Sequence, residues 1–490
     1  MSPRAQSRRP VVLAVTLAAA CVILPACDSA GPGSSEDRSP AGTANVVVVM
    51  TDDQDAASLE VMPAIRHLLG RRGVSFTRSY ATVPECCPSR ATFLTGQYAH
   101  NHGVVSSDPP DGGYSALDHS NTLPVWVREA GYRTAHFGKY LNGYGNPADG
   151  NDPLEVPPGW DEWHAPVNHT EYRMYGYELN ENGRVNAYGE RPRDYLTDLL
   201  ARMASRFIDH AASSERSFFL SVAPPAPHSE APFEGQTTPA RNPRPAPRHL
   251  GASEDRPLPA PPSLDDPGLT DKPAIVQRRA AKAAPRIAAG QLEVEHRSRL
   301  ESLLAADELV RELVGALRRA GVLRETYFLF TSDNGYLLGE HGLIGKSLPY
   351  EESARVPLVI RGPGIPAGAK RHTLTANVDL AATITEVAGA EPGLRSDGVS
   401  LLDLAHGGSG DRRRAIVIEY LTGEKSYAAV RTASDLMMAE YASGDVELYD
   451  MRDDPYQLDN LARDPAHAAM RSRLHRSIEA LRDCAGEACR

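Results

Sequence analysis

The sequence predicts an α/β fold: a mostly parallel sheet flanked by helices, with a smaller antiparallel sheet and a helix at the C-terminal end. Three observations carry this. Short runs of β-branched and aromatic residues recur with apolar character on both faces, as strands buried in a parallel sheet require. Amphipathic helical stretches lie between them. Beyond about residue 412 the strand-like runs come close together, which suits antiparallel pairing. The composition agrees. With 41% hydrophobic and 23% charged residues among 490, wholesale disorder, a collagen-like repeat and a polytopic membrane protein are excluded.

Residues 1–26 are not part of the fold. Arg8 and Arg9 precede the apolar run VVLAVTLAAACVILPA, which is too short to cross a bilayer comfortably and has the charged start of a secretory signal. It ends Leu24-Pro25-Ala26-Cys27, similar to a bacterial lipobox, so Cys27 is the expected lipidation site and mature N-terminus. Residues 27–43 are rich in Gly, Ser and Pro and read as a flexible tether. The protein is therefore expected to be exported, held on the outer side of the bacterial cell membrane by an N-terminal lipid alone. The net charge of −11 makes nucleic acid a poor partner, because attraction to phosphate needs clustered Lys and Arg.

Residues 44–411 form the expected catalytic α/β domain. Its first strand, Ala44–Thr51, stops at Asp52-Asp53. Thr134–Gly138 leads to Lys139, Ser217–Val222 leads through a proline-rich turn to His228, and Tyr327–Thr331 leads to Asp333-Asn334. Val356–Ile360 runs into Arg361-Gly362-Pro363-Gly364. Ligands bind beyond the carboxyl ends of parallel strands, so four strands ending in acids, lysine and histidine mark a site. Leu300, Leu303, Leu304, Val310, Leu313, Val314 and Leu317 form a helical stripe, on which Asp307 is expected to be structural. The proline-rich stretch 237–268 reads as a surface excursion. Residues 412–490 form a C-terminal subdomain of short strands and a helix from about Pro465 to Arg482. Cys484 and Cys489 close that subdomain as an expected local disulfide.

The most informative segment is Cys86-Cys87-Pro88-Ser89-Arg90-Ala91-Thr92-Phe93-Leu94-Thr95-Gly96. Pro88 suits a first helical turn, and nothing breaks the helix before Gly96. Cys86 then sits at a helix N-terminus, where free N–H groups and Arg90 favour negative charge. It is a nucleophile candidate; a buried structural cysteine, a vicinal disulfide or half a zinc site are the alternatives. Zinc is disfavoured because no CxxC or HxxxH pair lies nearby.

This segment resembles the sulfatase signature, Cys-x-Pro-Ser-Arg followed by Leu-Thr-Gly. The resemblance continues through Thr51–Asp55, Phe137–Leu141, Ala226-Pro227-His228, Thr331–Gly335 and Leu448-Tyr449-Asp450. Tyr98–His102 and Lys139–Asn142 look most like N-acetylglucosamine-6-sulfatases, and endosulfatases acting on heparan sulfate are similar too. The resemblance implies an alkaline-phosphatase/sulfatase-like fold and a sulfuric ester hydrolase. Its substrate would be a carbohydrate 6-O-sulfate. Cys86 would be oxidised to formylglycine by a formylglycine-generating enzyme during maturation. Asp52, Asp53, Asp333 and Asn334, with modified Cys86, would hold one Ca²⁺, since oxygen ligands suit a hard cation. Arg90 and Lys139 would hold the formylglycine hydroxyls, and His228 and Lys346 would grip the sulfate and protonate the leaving oxygen. Many arylsulfatases carry a histidine two residues after the lysine placed at Lys139. Here that position is Leu141, which leaves His102 or His100 as candidate bases. Three further readings compete: a broad arylsulfatase, a phosphonate or phosphodiester hydrolase, and an inactive carbohydrate-binding lipoprotein.

Overall fold

The structure, a computed structural model, describes residues 44–230, 242–264, 268–410 and 413–490. The leader, the tether with Cys27, and part of the proline-rich stretch lie outside the described residues.

Ten strands make the main sheet: β1 (Asn45–Thr51), β2 (Val74–Phe76), β3 (Arg133–Gly138), β4 (Glu162–Pro166), β5 (Glu178–Glu181), β6 (Val185–Ala187), β7 (Phe218–Ala223), β8 (Thr326–Ser332), β9 (Leu358–Arg361) and β10 (Ala369–Arg371). Their order across the sheet is β10-β2-β9-β8-β1-β7-β3-β4-β5-β6. The centre, β8-β1-β7-β3-β4, is parallel throughout. Every residue of β1, β7 and β8 is buried. That explains why their sequences are apolar on both faces rather than alternating.

One strand departs from the expected direction. β9 runs antiparallel to β8, with Arg361 opposite Phe328. The Arg361-Gly362 end of β9 therefore lies at the end of the sheet where β8 begins, away from the other strand tips. Its apolar run alone could not distinguish the two directions.

Long helices flank the sheet, α1 (Cys86–Thr95), α2 (Leu196–Ala211), α4 (Gln291–Arg319) and α5 (Asp379–Ala388), while α3 (Ala274–Ala288) packs on α4 and shares the core of the C-terminal layer. The predicted stripe on α4, apart from half-buried Leu304, packs with α2 and one face of the sheet in a continuous apolar core. Asp307 accepts hydrogen bonds from the backbone N–H groups of Ala64 (2.9 Å) and Ile65 (3.0 Å). It satisfies the otherwise unpaired donors at the start of the adjoining helical turn, the structural role its position implied.

The C-terminal strands β11 (Ala415–Tyr420), β12 (Tyr427–Thr432), β13 (Leu436–Tyr441) and β14 (Val446–Asp450) form an antiparallel meander, backed by α6 (Ala468–Leu481). This layer shares a core with residues from the body of the chain, including Tyr80, Tyr98 and Tyr350. A disulfide joins Cys484 to Cys489, whereas Cys86 and Cys87 are free and buried.

Candidate active site

Four neighbouring parallel strands deliver the site. β8, β1, β7 and β3 lie side by side, and their carboxyl ends carry Asp333-Asn334, Asp52-Asp53, the segment to His228, and Lys139. Two glycines make this close approach possible. A Cβ on Gly335 would lie 2.1 Å from the carbonyl oxygen of Glu352, and one on Gly138 would lie 2.2 Å from that of Ala223. Asp53 adopts a left-handed backbone (φ 64°), a conformation that Asp tolerates better than most residues.

Helix α1 brings the signature segment across the strand tips. It begins at Cys86 and ends at Gly96, whose φ of 67° closes the helix as the sequence suggested. All ten of its residues are buried. Ser89 is structural: its hydroxyl donates to the Asp333 carbonyl and accepts from Asn377 Nδ2 at 2.9 Å.

The charged side chains interlock. Arg90 Nε donates to Asp333 Oδ2 at 2.8 Å, and Arg90 Nη1 donates to the Lys139 carbonyl at 2.8 Å. Lys139 Nζ donates to Asp52 Oδ2 at 2.6 Å. Lys346 Nζ donates to Asp53 Oδ1, lies 2.7 Å from Cys86 Sγ and 3.4 Å from Asn334 Oδ1. Asn334 Nδ2 donates to Asp53 Oδ1 at 2.7 Å. His228 Nε2 is 3.6 Å from Asp53 Oδ2, while its Nδ1 donates to the Ser229 carbonyl at 2.7 Å. All nine side chains singled out in the sequence thus meet in one buried cluster, Lys346 included, although Gly345-Lys346-Ser347 carries little local signal.

The electrostatics follow from burial and from these neighbours. Burial alone would raise the Asp52 carboxyl, but Lys139, His228, Arg90 and Lys346 outweigh it and hold Asp52 well below the usual range. Burial and the Asp52 charge instead push Asp333 up to about 6. Burial lowers His228. Burial also pushes the Cys86 thiol up to about 12 against the pull of Lys139 and Lys346. An unmodified Cys86 is therefore a neutral thiol and a weak nucleophile at neutral pH.

The residues fit a hard cation. One ligand atom each from Asp52, Asp53, Cys86 and His228 lies within 4.8 Å of the others. Asp52 Oδ1 is buried without a hydrogen-bond partner, and the ammonium of Lys346 already places positive charge between Asp53, Cys86 and Asn334. Asp333 is engaged differently. Its Oδ1 accepts from the Asp53 and Asn334 backbone N–H groups (3.1 and 2.8 Å) and its Oδ2 accepts from Arg90. Three carboxylates face three permanent cations, so a bound divalent ion would turn the site positive, the sign needed to take an anionic ester.

The two candidate bases are placed elsewhere. His102 Nδ1 accepts from the Val104 N–H at 3.1 Å, and its Nε2 donates to Thr92 Oγ1 at 3.0 Å. His100 faces Glu419 and the Cys484 carbonyl. Both rings serve the fold. Sequence reasoning missed Tyr172 instead. Its hydroxyl accepts from Lys139 Nζ (3.0 Å) and Asn142 Nδ2 (2.8 Å), and its ring stacks on His228. No motif surrounds Tyr172; only the loop after β4 brings it here. Asn142, one residue beyond Leu141, was the available sign that polar groups other than histidine line this side.

Comparison with known proteins accounts for this constellation. The sulfatase family profile matches residues 44–390, and a profile for the C-terminal part of N-sulphoglucosamine sulphohydrolase matches residues 339–484. Human N-acetylglucosamine-6-sulfatase is 34% identical over 494 residues, covering 91% of this chain and 86% of the human protein. An extracellular sulfatase Sulf-1 homolog of Caenorhabditis elegans is 38% identical over 368 residues, 74% of this chain, and this chain spans about half (49%) of that longer protein. A solved structure in complex with its substrate D-glucosamine-2-N,6-O-disulfate superimposes with a TM-score of 0.73 at 25% identity, over 89% of this chain and 97% of the other. With a signature helix, metal-type carboxylates and a family match spanning most of its length, this chain belongs to the sulfatase family and is a sulfuric ester hydrolase.

Proposed function

We propose that the protein hydrolyses the 6-O-sulfate of N-acetylglucosamine-type units in a sulfated carbohydrate, using formylglycine formed from Cys86 and one Ca²⁺. The observation that carries this is the buried cluster joining Cys86 to Asp52, Asp53, Asn334, Lys139, Lys346 and His228. The glucosamine substrate and the names of the relatives point to the sugar. Members of the family generally depend on formylglycine and a metal.

Formylglycine, as its hydrate, supplies an oxygen nucleophile, and Ca²⁺ supplies Lewis-acid stabilisation of sulfate charge. The chain's own residues do the rest. Asp52, Asp53 and Asn334 offer oxygens to the ion, while Asp333 orients Arg90. Arg90 and Lys139 hold the nucleophile end through positive charge fixed in a water-poor site. Lys346, against Cys86 and Asp53, takes a sulfate oxygen. His228, in the protonated form that the neighbouring Asp53 and Asp52 carboxylates favour against burial, donates a proton from Nε2 to the departing sugar oxygen. The neutral thiol of unmodified Cys86 supports the need for conversion, because a thiolate would not form there at neutral pH.

The deciding experiment pairs mass spectrometry of the Cys86 peptide with assays on 6-sulfated N-acetylglucosamine, an aryl sulfate and a phosphonate monoester. Modified Cys86 and preference for the sugar sulfate are expected; preference for the phosphonate would overturn the assignment. We also propose export and lipid attachment at Cys27, on the strength of Leu24-Pro25-Ala26-Cys27 behind an apolar leader. Cys27→Ser should leave the protein unprocessed or release it from membranes. Wild-type processing and retention would refute the anchor.

A further inference from the structure

The end of the sheet opposite the catalytic cluster carries a second concentration of charge. A surface cavity of 860 Å³ there is lined by Arg71, Arg72, Arg318, Arg324, Arg361 and His67. These side chains come from separate parts of the chain. Arg71 and Arg72 precede β2, Arg318 is in the last turn of α4, Arg324 precedes β8, and Arg361 ends β9. The antiparallel direction of β9 is what brings Arg361 to this end. Among the described residues no ion pair neutralises any of the five; the neighbouring Arg319, by contrast, pairs with Asp209. Arg361 is held below the usual guanidinium range by burial and by the positive charges of Arg318 and Arg72. Arg318 on its own could be an ordinary cation at a helix C-terminus. Four further arginines from other segments exceed that role, and their mutual repulsion is a cost that a bound anion would remove. In a chain of net charge −11, such a cluster is also the opposite of what composition would scatter there.

The course of the chain indicates which anion. Asn45, the first residue of β1, pairs with Thr326, the first residue of β8, two positions after Arg324. The folded body therefore connects to residues 27–43 at the same end of the sheet as the arginines. A tether of that length reaches at most about 60 Å, so an anchor at Cys27 would hold the protein close enough to a bilayer for this end to meet lipid headgroups. We propose that the arginine cavity binds the phosphate headgroups of anionic phospholipids, seating the protein with its catalytic end directed away from the membrane. The proposal rests on the anchor reading for its orientation, while the cavity's affinity for the lipid surface can be measured without it.

The described residues form one compact unit, so the test uses the chain 27–490 with Cys27→Ser, which carries neither leader nor lipid. Sedimentation with phosphatidylglycerol vesicles should retain it, and phosphatidylcholine vesicles should not. Arg72→Gln with Arg318→Gln should weaken binding about 25-fold, from a typical factor of about five per arginine near an anionic surface. The same charge change in Arg473→Gln with Arg476→Gln, on exposed positions of α6, should leave binding unchanged, as should turnover of a soluble substrate by the cavity variant. Equal weakening in both pairs, or no preference for phosphatidylglycerol, overturns the proposal. So does tighter binding of a heparin oligosaccharide in the cavity than of the vesicles, which would assign it to a sulfated chain. Because the tested chain has no lipid, failure of the anchor reading would show up separately, as unaltered membrane retention of full-length Cys27→Ser.

Discussion

The ring of Tyr172 stacks on that of His228 with centroids 4.0 Å apart, and its hydroxyl lies 4.0 Å from Cys86 Sγ. The same hydroxyl accepts hydrogen bonds from Lys139 and Asn142, so its own proton is available to a further acceptor. Tyr172 thus touches both a lysine and a histidine of the site, Lys139 through its hydroxyl and His228 through its ring face. Removing only the hydroxyl, Tyr172→Phe, keeps the stack and loses the bond to charged Lys139, an interaction worth about a 10- to 100-fold effect. A fall in kcat of about that size with little change in KM is expected, and Tyr172→Ala should lose more. Wild-type kcat in Tyr172→Phe would show that the hydroxyl only packs.

Cys86 and Cys87 are adjacent, buried and free, yet they face different surroundings. Cys86 meets Lys346, whereas Cys87 packs in the main apolar core. Cys86→Ala should abolish turnover with the melting temperature little changed. Cys87→Ala should keep substantial activity and lose some stability, as a modest truncation in a packed core does. Equal loss of activity in both, at unchanged stability, would remove Cys86 from the nucleophile's place.

Chelation should lower both activity and melting temperature. Asp52 and Asp53 are buried beside one another, and a cation bound only to the folded state stabilises it by about 2.7 kcal/mol at a hundred times its dissociation constant. Restoration by Ca²⁺ in calorimetry is the check. A metal-free protein, shown so by elemental analysis, with full activity would contradict the metal assignment.

The role of His228 can be separated from simple sulfate binding by changing the leaving group. A sugar alkoxide needs a proton far more than a nitrophenolate does. His228→Ala should therefore cut kcat for 6-sulfated N-acetylglucosamine about a hundred- to ten-thousand-fold, and much less for an activated aryl sulfate. Parallel losses on both substrates would make His228 a sulfate contact and move the acid to Lys346.

His100 supplies a pH dependence. Burial would lower it, but Glu419, 2.8 Å from Nδ1, and the Cys484 carbonyl, 3.0 Å from Nε2, both accept from the ring and raise it above its usual value. A histidine raised on folding contributes stability fully below its unfolded pKa of about 6.5 and loses it as pH climbs through the folded value. The melting-temperature gap between wild type and His100→Gln should thus be largest near pH 5.5 and shrink by pH 8.5. A gap that widens with pH would mean the ring is neutral in the fold.

Sequence alone determined the parallel centre of the sheet, because strands buried on both faces must be apolar throughout. It also determined the extent of α1, through Pro88 and Gly96, and the residue types able to bind a hard cation and an anionic ester, each placed just past a strand. Tertiary structure decided what such local signals do not encode. β9 has the same apolar run as the parallel central strands, and only its packing beside β8 reverses it and carries Arg361 to the far end. His100 and His102 follow the signature segment closely in the chain, but the short helix Ala99–His102 turns them toward Glu419 and Thr92. Lys346 and Tyr172 lie in loops without periodicity or motif. Their positions are set by long-range closure, in which Lys346 is drawn between Asp53 and Cys86 by charge and Tyr172 is stacked onto His228. Periodicity and capping act over a few residues and can be read along the chain. Contacts between residues hundreds of positions apart depend on the whole fold.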